Sequence, residues 1–584
     1  MKIVTQVARP RAAGLFVVLV TALFLQSPAF AQDKSARIDE YMTRAAQFRQ
    51  FNGTVLVAEN GKVIYKKGLG LANMEWNVAN DVDTKFRLGS ITKQFTAMLV
   101  LQLVEQGKLK LDGKLSEYLP DYRKDIGDKV TIHHLLTHTS GIPSYTGLPK
   151  FFEDVSRNPF TVAEFVKKYA SNDLEFEPGA KFRYNNSGYF LLGAIIEKVS
   201  GKPYEQVLKE NILDPLGMKN TGYDHYDAIL PKRASGYQKT PAGYTNAPYL
   251  DMSIPYAAGS LYSTVEDLYL WDQALYTDKL IPAKSKELMF KPFLDNYAYG
   301  WTITKAALGK ESVNAVAHGG GINGFNTYLV RYPDQKHLIV LLDNTSQGAS
   351  LNRITRDLTS ILYNQPVEMP KQSIAEALMK TISERDVASA IKQYRDLKAT
   401  QAANYNFGEN ELNMLGYQLL GAKKTKEAIE IFKLNVEAYP QAANPYDSLG
   451  EAYMVAGERA LALQNYKKSV ELNPQNANAI AVIKRLEAPA TETPASATPV
   501  SLDAYAGQYD VPGLGALNIT KEGDKLFGAP TGQTKAELIP QGNESFLAAG
   551  PNVNLTFIKD DKGQVTHVNV RLRDGREMQA KKVK

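Results

Sequence analysis

Cysteine is absent from the 584 residues of the chain, so no disulfide, thiolate metal site or cysteine nucleophile is available to it. An excess of one charge sign is also lacking, because 68 Lys and Arg residues stand against 62 Asp and Glu residues. Nucleic acids and anionic surfaces select strongly basic proteins, so this balance favours neither as a partner. The length predicts three or four domains, and the 44% hydrophobic content is typical of soluble globular proteins.

The apolar run at residues 12–25 is too short to span a bilayer comfortably. Lys2, Arg9 and Arg11 precede it, and the small-residue pattern Ala29-Phe30-Ala31 follows it. This order is typical of a signal peptide, so we predict cleavage after residue 31 and a periplasmic or secreted bacterial protein without a stable membrane span. An uncleaved anchor is the alternative. The mature chain would keep 65 basic against 62 acidic residues.

A candidate nucleophile lies in residues 86–95, where a short strand, a glycine and an apolar helix follow one another. With about 3.6 residues per turn, Ser90 and Lys93 fall on one face of that helix. A lysine in a dry pocket can lose its charge and accept the serine proton. An N-cap serine beside a solvated lysine gives the same pattern by chance. The apolar surroundings of Lys93 favour the functional interpretation, because an unpaired charge there would be costly.

Two further motifs follow downstream. Tyr184 and Asn186 are spaced to project from a loop in the same general direction, although a packed tyrosine beside an Asx-turn would use the same residues. His318 precedes three glycines, which allow close approach to a backbone but also suit a plain turn. His134 and His138 are spaced like zinc ligands, yet the glutamate of H-E-x-x-H is missing, so we interpret them as structural. No metal or other cofactor is predicted.

Together the motifs resemble those of the serine β-lactamase and penicillin-binding-protein superfamily. The match is closest to its class C-like branch, which also holds D-stereospecific peptidases and carboxylesterases, and it runs from about residue 53 to about residue 344. The resemblance implies an α/β (α+β) fold in which a mixed sheet is flanked by helices and a mostly helical lobe. The motifs that carry it are Ser90-x-x-Lys93, Tyr184-x-Asn186, His318-Gly319-Gly320 and the segment at residues 134–141.

By this resemblance Ser90 is the acylated nucleophile, and Lys93 and Tyr184 share the proton transfers. The N–H groups of Ser90 and Gly321 would form the oxyanion hole. The implied substrate-binding residues are Asn186, His318, Gly320 and Gly321. The family often carries Lys-Thr-Gly at the third motif, where an ammonium binds a substrate carboxylate. His318 replaces that lysine and is mostly neutral near pH 7, so we expect esters or D-amino-acid peptides to be better substrates than β-lactams.

The last third of the chain is predicted to contain helical repeats with a period of 34 residues. Such a period is typical of tetratricopeptide repeats, and residues 372–405 could supply a degenerate third helical pair. The array could bind a protein or peptide partner, or it could serve only as a packing spacer. The clearest matches, each 34 residues apart, are Leu415 and Leu449, Gly416 and Gly450, Phe432 and Tyr466, and Pro440 and Pro474.

The predicted domain plan has five parts. They are a signal peptide at 1–31, a serine hydrolase at 32–367, tetratricopeptide-like helices at 368–487, a Pro/Ala/Thr linker at 488–500 and a small, barrel-like β-domain at 501–584. The sequence supports an exported serine hydrolase that forms an acyl-enzyme on a D-amino-acid peptide, a β-lactam or a carboxylic ester. A non-catalytic protein that binds penicillin or cell-wall peptides is the alternative, but the intact Ser90, Lys93 and Tyr184 favour the enzyme.

Overall fold

The computed structural model describes residues 33–148, 150–240, 243–487, 502–511, 515–530, 535–542, 544–548, 553–560, 563–571 and 577–583. The predicted signal peptide at 1–31 and the predicted linker at 488–500 lie outside these residues. Within the ranges given, we find no helix with both the length and the apolar character needed to cross a membrane.

A six-stranded sheet forms the centre of the hydrolase part. Every neighbouring pair of strands is antiparallel, so the expectation of a mixed sheet was wrong. Four of the five pairs are successive strands joined by tight hairpins, which reverse the chain, whereas parallel pairs need long crossovers. In spatial order the strands are Thr302–Leu308, Glu311–Ile322, Phe325–Tyr332, His337–Asp343, Gly53–Glu59 and Lys62–Leu69.

Helices cover both faces of this sheet, and the strand His337–Asp343 is accordingly buried along its whole length. On one face, Lys34–Gln47 and Gly348–Leu362 pack their apolar stripes against the strands. On the other face lies the larger helical lobe, which contains the helices Thr92–Glu105 and Asn186–Ser200. The α/β (α+β) fold implied by the motifs is therefore confirmed.

Shorter elements frame the cleft between sheet and lobe. The helices are Leu115–Tyr118, Lys124–Gly127, Ile132–Leu136, Val162–Tyr169, Tyr204–Leu208, Asp214–Leu216, Tyr256–Gly259, Val265–Ala274 and Ala283–Met289. The 3-10 and π turns are Gly89–Ile91, Tyr145–Gly147, Phe151–Val155, Lys209–Leu213 and Leu294–Asn296. The small strands are Leu71–Asn73, Val78–Ala79, Phe86–Arg87, Gly222–Tyr223, Tyr237–Thr240, Gly243–Asn246 and Leu261–Ser263.

Helices packed in consecutive pairs follow the hydrolase. Their 34-residue period has a packing reason, because a Cβ on Gly416 would lie 2.5 Å from the Phe432 ring and one on Gly450 would lie 3.2 Å from the Tyr466 ring. The first helix of each of these two pairs thus carries a glycine where the aromatic residue of the second helix packs. The helices are Ile374–Glu384, Val387–Thr400, Glu409–Gly421, Thr425–Ala438, Ala443–Val455, Arg459–Leu472 and Ala477–Glu487, and the short strands Gln372–Ser373 and Tyr405–Asn406 pair beside the first of them.

An eight-stranded closed barrel forms the C-terminal part, preceded by the short helix Leu502–Ala504. The last strand pairs with the first, with Tyr509 opposite Lys582, so this sheet has no free edge. This observation confirms the predicted all-β domain and its barrel form. The strands are Gly507–Val511, Gly515–Glu522, Lys525–Pro530, Ala536–Gly542, Ser545–Ala548, Val553–Lys559, Val565–Arg571 and Glu577–Lys582.

The glycine contacts give a stability prediction for the helical pairs. Alanine in a helix is favoured over glycine by about 1 kcal/mol, but overpacking costs about 1–3 kcal/mol. We therefore expect Gly416→Ala to destabilise its helix pair, because the new methyl overlaps the Phe432 ring. Gly450→Ala is the matched control and should be close to neutral. Amide hydrogen exchange in the two helix pairs measures this, and equal protection in both variants would contradict it.

Candidate active site

The candidate nucleophile Ser90 lies in the turn Gly89–Ile91, immediately before the helix Thr92–Glu105. Two glycines bring this turn against the strand Glu311–Ile322. A Cβ on Gly89 would lie 2.9 Å from the nitrogen of Gly321, and a Cβ on Gly320 would overlap the carbonyl oxygen of Leu88. Side chains at either position would force the strand away, so these glycines allow the strand at Gly321 to lie directly against the turn that carries Ser90.

Lys93 is completely buried beside Ser90. Its Nζ lies 3.0 Å from Ser90 Oγ, 2.8 Å from Asn186 Oδ1 and 2.9 Å from the carbonyl oxygen of Ala258. Burial lowers the pKa of Lys93 well below its usual value, and among the described residues no carboxylate pairs with it to oppose this. A neutral amine has two N–H donors and one lone pair. The two carbonyl-type oxygens take the donors, which leaves the lone pair for the Ser90 proton.

Tyr184 lies at the opening of the cleft, and 37% of its surface is exposed. Burial of its hydroxyl raises the pKa of Tyr184 above the usual value, and a hydrogen bond with Ser90 partly offsets this rise. Lys93 Nζ lies 4.9 Å from the centre of the Tyr184 ring. Tyr184 therefore stays protonated near neutral pH and stands beside both groups that exchange the serine proton.

Asn186 is the first residue of the helix Asn186–Ser200, and not a loop residue as the spacing suggested. Its Oδ1 accepts from Lys93, while its Nδ2 donates to Thr146 Oγ1 at 3.2 Å. The preceding Asn185 caps the helix by accepting from the N–H of Gly188 at 3.0 Å. The amide of Asn186 is thus fixed in one orientation, with its oxygen directed at the lysine.

His318 is buried, and both of its ring nitrogens are occupied within the protein. Nδ1 lies 2.6 Å from the carbonyl oxygen of Gly319, which can only accept, so Nδ1 carries the proton. Nε2 lies 2.9 Å from the Tyr297 hydroxyl and accepts from it. Burial, with a smaller effect from Lys93, lowers the pKa of His318 to about 4. The resemblance implied that His318 binds the substrate, but in this geometry neither ring nitrogen is free to form a hydrogen bond with one.

His138 belongs to the site, and the sequence analysis assigned it only a structural role. It is buried with φ at +58°, and Nδ1 accepts from the N–H of Asn185 at 3.1 Å. Its ring packs 4.3 Å from the Tyr184 ring and 4.5 Å from the Tyr297 ring, measured between centres. His134 instead accepts from the N–H of Thr131 at the start of its helix. Neither histidine joins a cluster of metal-ligand side chains in the described residues.

The site opens into a cavity of about 940 Å³. Ser90, Asn186 and Gly321 line it together with the aromatic residues Tyr145 and Phe151. Among the described residues of its lining, none carries a charge. A cavity of this size and character suits a largely apolar small molecule whose polar groups meet a few fixed partners.

A fold with this site defines a class of serine hydrolases, and comparison with known proteins identifies the family. The family described as Beta-lactamase matches residues 38–362, more than half of the chain. A penicillin-binding protein of Bacillus subtilis (strain 168) is 30% identical over 437 residues, which cover 70% of this chain and 94% of the relative. The chain therefore belongs to the Beta-lactamase family and is a serine hydrolase, as its three motifs predicted.

Other similar proteins are named for activities other than penicillin binding. The esterase EstB of Burkholderia gladioli is 34% identical over 220 residues, covering 35% of this chain and 56% of the relative. The solved D-amino acid amidase from Ochrobactrum anthropi SV3 superposes with a TM-score of 0.50 at 24% identity, covering 56% of this chain and 98% of its own. At that identity the likeness shows the fold alone.

The C-terminal part also has counterparts. A model described as Domain of unknown function (DUF3471) matches residues 491–582. An octameric penicillin-binding protein homologue from Pyrococcus abyssi has a TM-score of 0.50 at 21% identity, and the match covers 94% of this chain and 99% of that one. The tetratricopeptide assignment of the helices between hydrolase and barrel stays a prediction.

The buried lysine gives a pH prediction. Because burial lowers the pKa of Lys93 well below its usual value of about 10, the unfolded chain carries a proton on this residue that the folded chain lacks at any pH between the two pKa values. The unfolded state then binds one more proton, so this residue makes stability rise with pH by about 1.4 kcal/mol per unit. Between pH 7 and 9 the free energy of unfolding of the wild type should therefore rise by about 1.4 kcal/mol per pH unit relative to that of Lys93→Met. Urea denaturation of both proteins measures it, and parallel pH profiles would argue for a charged lysine.

Proposed function

We propose that Ser90 attacks the carbonyl carbon of an ester or amide and forms an acyl-enzyme. The observation that carries this proposal is the buried Lys93 amine, whose Nζ lies 3.0 Å from Ser90 Oγ. As the Oγ–C bond forms, the serine proton passes to Lys93 and the carbonyl electrons move to the oxygen. The N–H groups of Ser90 and Gly321 would stabilise that oxyanion.

The second half of the reaction returns the proton. When the tetrahedral intermediate collapses, the bond from carbon to the leaving oxygen or nitrogen breaks, and Tyr184 relays the proton from Lys93 to the leaving group. Water then attacks the acyl carbon and gives a proton to Lys93 and Tyr184, which act as the base. The bond from that carbon to Ser90 Oγ breaks, Ser90 takes the proton back and the acid product leaves. Asn186 holds the Lys93 amine and, with Gly320 and His318, shapes the edge of the strand along which the substrate lies.

The uncharged cavity supports an ester or a neutral amide as the substrate in preference to a β-lactam with its carboxylate. A buried carboxylate without a partner is costly, and His318 has no free donor to offer it. The esterase name of the Burkholderia gladioli relative agrees with this choice. The B. subtilis relative is named for penicillin binding, so slow acylation by a penicillin is compatible with the proposal.

We further propose export of the protein, supported by the basic, apolar and small-residue order of residues 1–31. For the helical pairs, the role of a spacer has the better support, because Asn476, which directly precedes the last helix, accepts from Arg571 of the barrel at 2.9 Å. A protein or peptide partner for the repeats is the alternative.

The nucleophile can be tested by covalent labelling. Wild-type protein treated with a fluorophosphonate or a p-nitrophenyl ester should gain the adduct mass on Ser90, and Ser90→Ala should not. Loss of a nucleophile costs many orders of magnitude in kcat, so hydrolysis should fall to the background rate. Ser346→Ala, which removes another serine of the same cavity, is the matched control and should label normally. Equal turnover by Ser90→Ala would refute the mechanism.

A matched pair of substrates tests the preference for uncharged groups. The p-nitrophenyl esters of adipic acid and of its monomethyl ester differ only in one carboxylate. We expect kcat/KM for the methylated ester to be at least ~10-fold higher, because the described residues of the cavity lining offer a carboxylate no cation. With a pKa of about 4, His318 stays neutral from pH 5.5 to 8, so the ratio should be constant over that range. A preference for the carboxylate that grows as pH falls would overturn this expectation.

A further inference from the structure

The cavity at Ser90 does not end within the hydrolase. The same cavity of about 940 Å³ continues into the interior of the C-terminal barrel. We call this barrel part the lumen, and its described lining includes Val511, Leu517, Leu538, Ala548, Leu555 and Val570. One continuous space therefore runs from the candidate nucleophile to the inside of a separate domain.

Polar and apolar groups are segregated along this space. The hydrolase side supplies the side-chain hydrogen-bonding groups, among them Asn186, Gln238 and Asn326. On the barrel side, every described lining residue is aliphatic or glycine. The arrangement suits a molecule with a polar reacting group at one end and an apolar chain at the other.

One part of the barrel interior is filled by the barrel's own aromatic side chains, and another part belongs to the cavity. Tyr505, Phe546 and Phe557 form an aromatic cluster with ring centres 5.0–5.5 Å apart, and none of the three lines the cavity. An eight-stranded barrel has room either for its own side chains or for one small ligand, and this barrel divides its interior between the two. Because the lumen is continuous with the cavity at Ser90, a chain can enter it from the catalytic cleft.

Polar contacts hold the barrel against the rim of the cleft. Asn518 Nδ2 donates to the carbonyl oxygen of Gly147 at 3.1 Å, and Lys535 pairs with Glu153 at 3.2 Å. Asp510 accepts from Lys181 and Arg183 of the hydrolase. Gly147 and Glu153 flank the cavity-lining Phe151 in the chain, so these contacts join the barrel to the segment that lines the cavity.

We propose that the lumen holds the apolar tail of the substrate, an acyl or alkyl chain whose ester or amide carbonyl lies at Ser90. This assignment rests on the proposed function of Ser90 and names its substrate class. The chemistry itself is unchanged: the serine oxygen forms its bond to the carbonyl carbon, and the bond to the leaving group breaks. What the lumen adds is affinity, since each fully buried methylene can raise kcat/KM by up to about fourfold.

A chain-length series tests the proposal on the full-length protein. The substrates are p-nitrophenyl acetate, butyrate, octanoate and decanoate, each used below its micelle concentration. In the wild type we expect kcat/KM to rise at least ~100-fold from acetate to decanoate. Ala548→Phe fills the lumen and should lower the decanoate-to-acetate ratio at least tenfold. Gln579→Phe, on an exposed outward-facing position of the same barrel, is the control and should keep the wild-type ratio.

A second variant keeps the test valid in case Ala548→Phe does not fold. Val570→Thr keeps the volume of the side chain but places a hydroxyl in the lumen, so it should lower the same ratio about three- to tenfold. A wild type without chain-length preference, or ratios unchanged in both lumen variants, would overturn the proposal. If acetate hydrolysis still depended on Ser90 in that case, the proposed function would hold although the lumen proposal would not.

Binding without catalysis separates the two proposals further. Full-length Ser90→Ala should bind the methyl ester of a fluorescent polyene fatty acid, with a rise in emission as the probe leaves water. Adding Ala548→Phe to Ser90→Ala should weaken that binding at least tenfold, and adding Gln579→Phe should not. Equal binding by all three proteins would refute the lumen as the site, whatever the activity measurements show.

Discussion

The burial of one amine beside one hydroxyl is the constraint on which the rest of the hydrolase depends. A lysine with no solvent contact and no paired carboxylate among the described residues is held as a base only if its donors are used and its lone pair is free. Asn186 and the carbonyl of Ala258 meet the first requirement. Both come from segments more than 90 residues away in the chain, so the whole helical lobe must pack correctly before Lys93 can act.

A second constraint is the close approach of the strand Glu311–Ile322 to the nucleophile turn. Glycines at 89 and 320 make that approach possible, and Thr327 on the neighbouring strand donates to the carbonyl oxygen of Leu88 at 2.7 Å. His318 serves this arrangement, because its two hydrogen bonds tie the strand to Tyr297 and to its own backbone. The third motif therefore fixes the position of a strand here, whereas a lysine at this position would supply charge.

Much of the site could be predicted because its signals are local. Ser90 and Lys93 are one turn apart, and the 34-residue period repeats a glycine against an aromatic ring, so short-range patterns carry both. The hydrogen bonding of His318 could not be predicted, since it depends on Tyr297. The contact of His138 with Tyr184 could not be predicted either, because Tyr184 lies 46 residues further along the chain. The antiparallel order of the sheet was missed for the same reason. Periodicity describes one strand, but the pairing of Gly53 with Asp343 is decided by the packed tertiary structure.

The position of the barrel at the cleft depends on contacts between residues that are even further apart in the chain. Asn518 and Gly147 are 371 residues apart, and the helical pairs stand between their two domains in the chain. Arg571 of the barrel reaches Asn476, which directly precedes the last of those helices, so the barrel is held from two sides. Two separate attachments fix its orientation more firmly than either would alone, because each removes rotations that the other leaves free. A helical spacer of defined length, joined to a barrel with a partly hollow interior, is thus a physical means of placing an apolar chamber over a reactive serine.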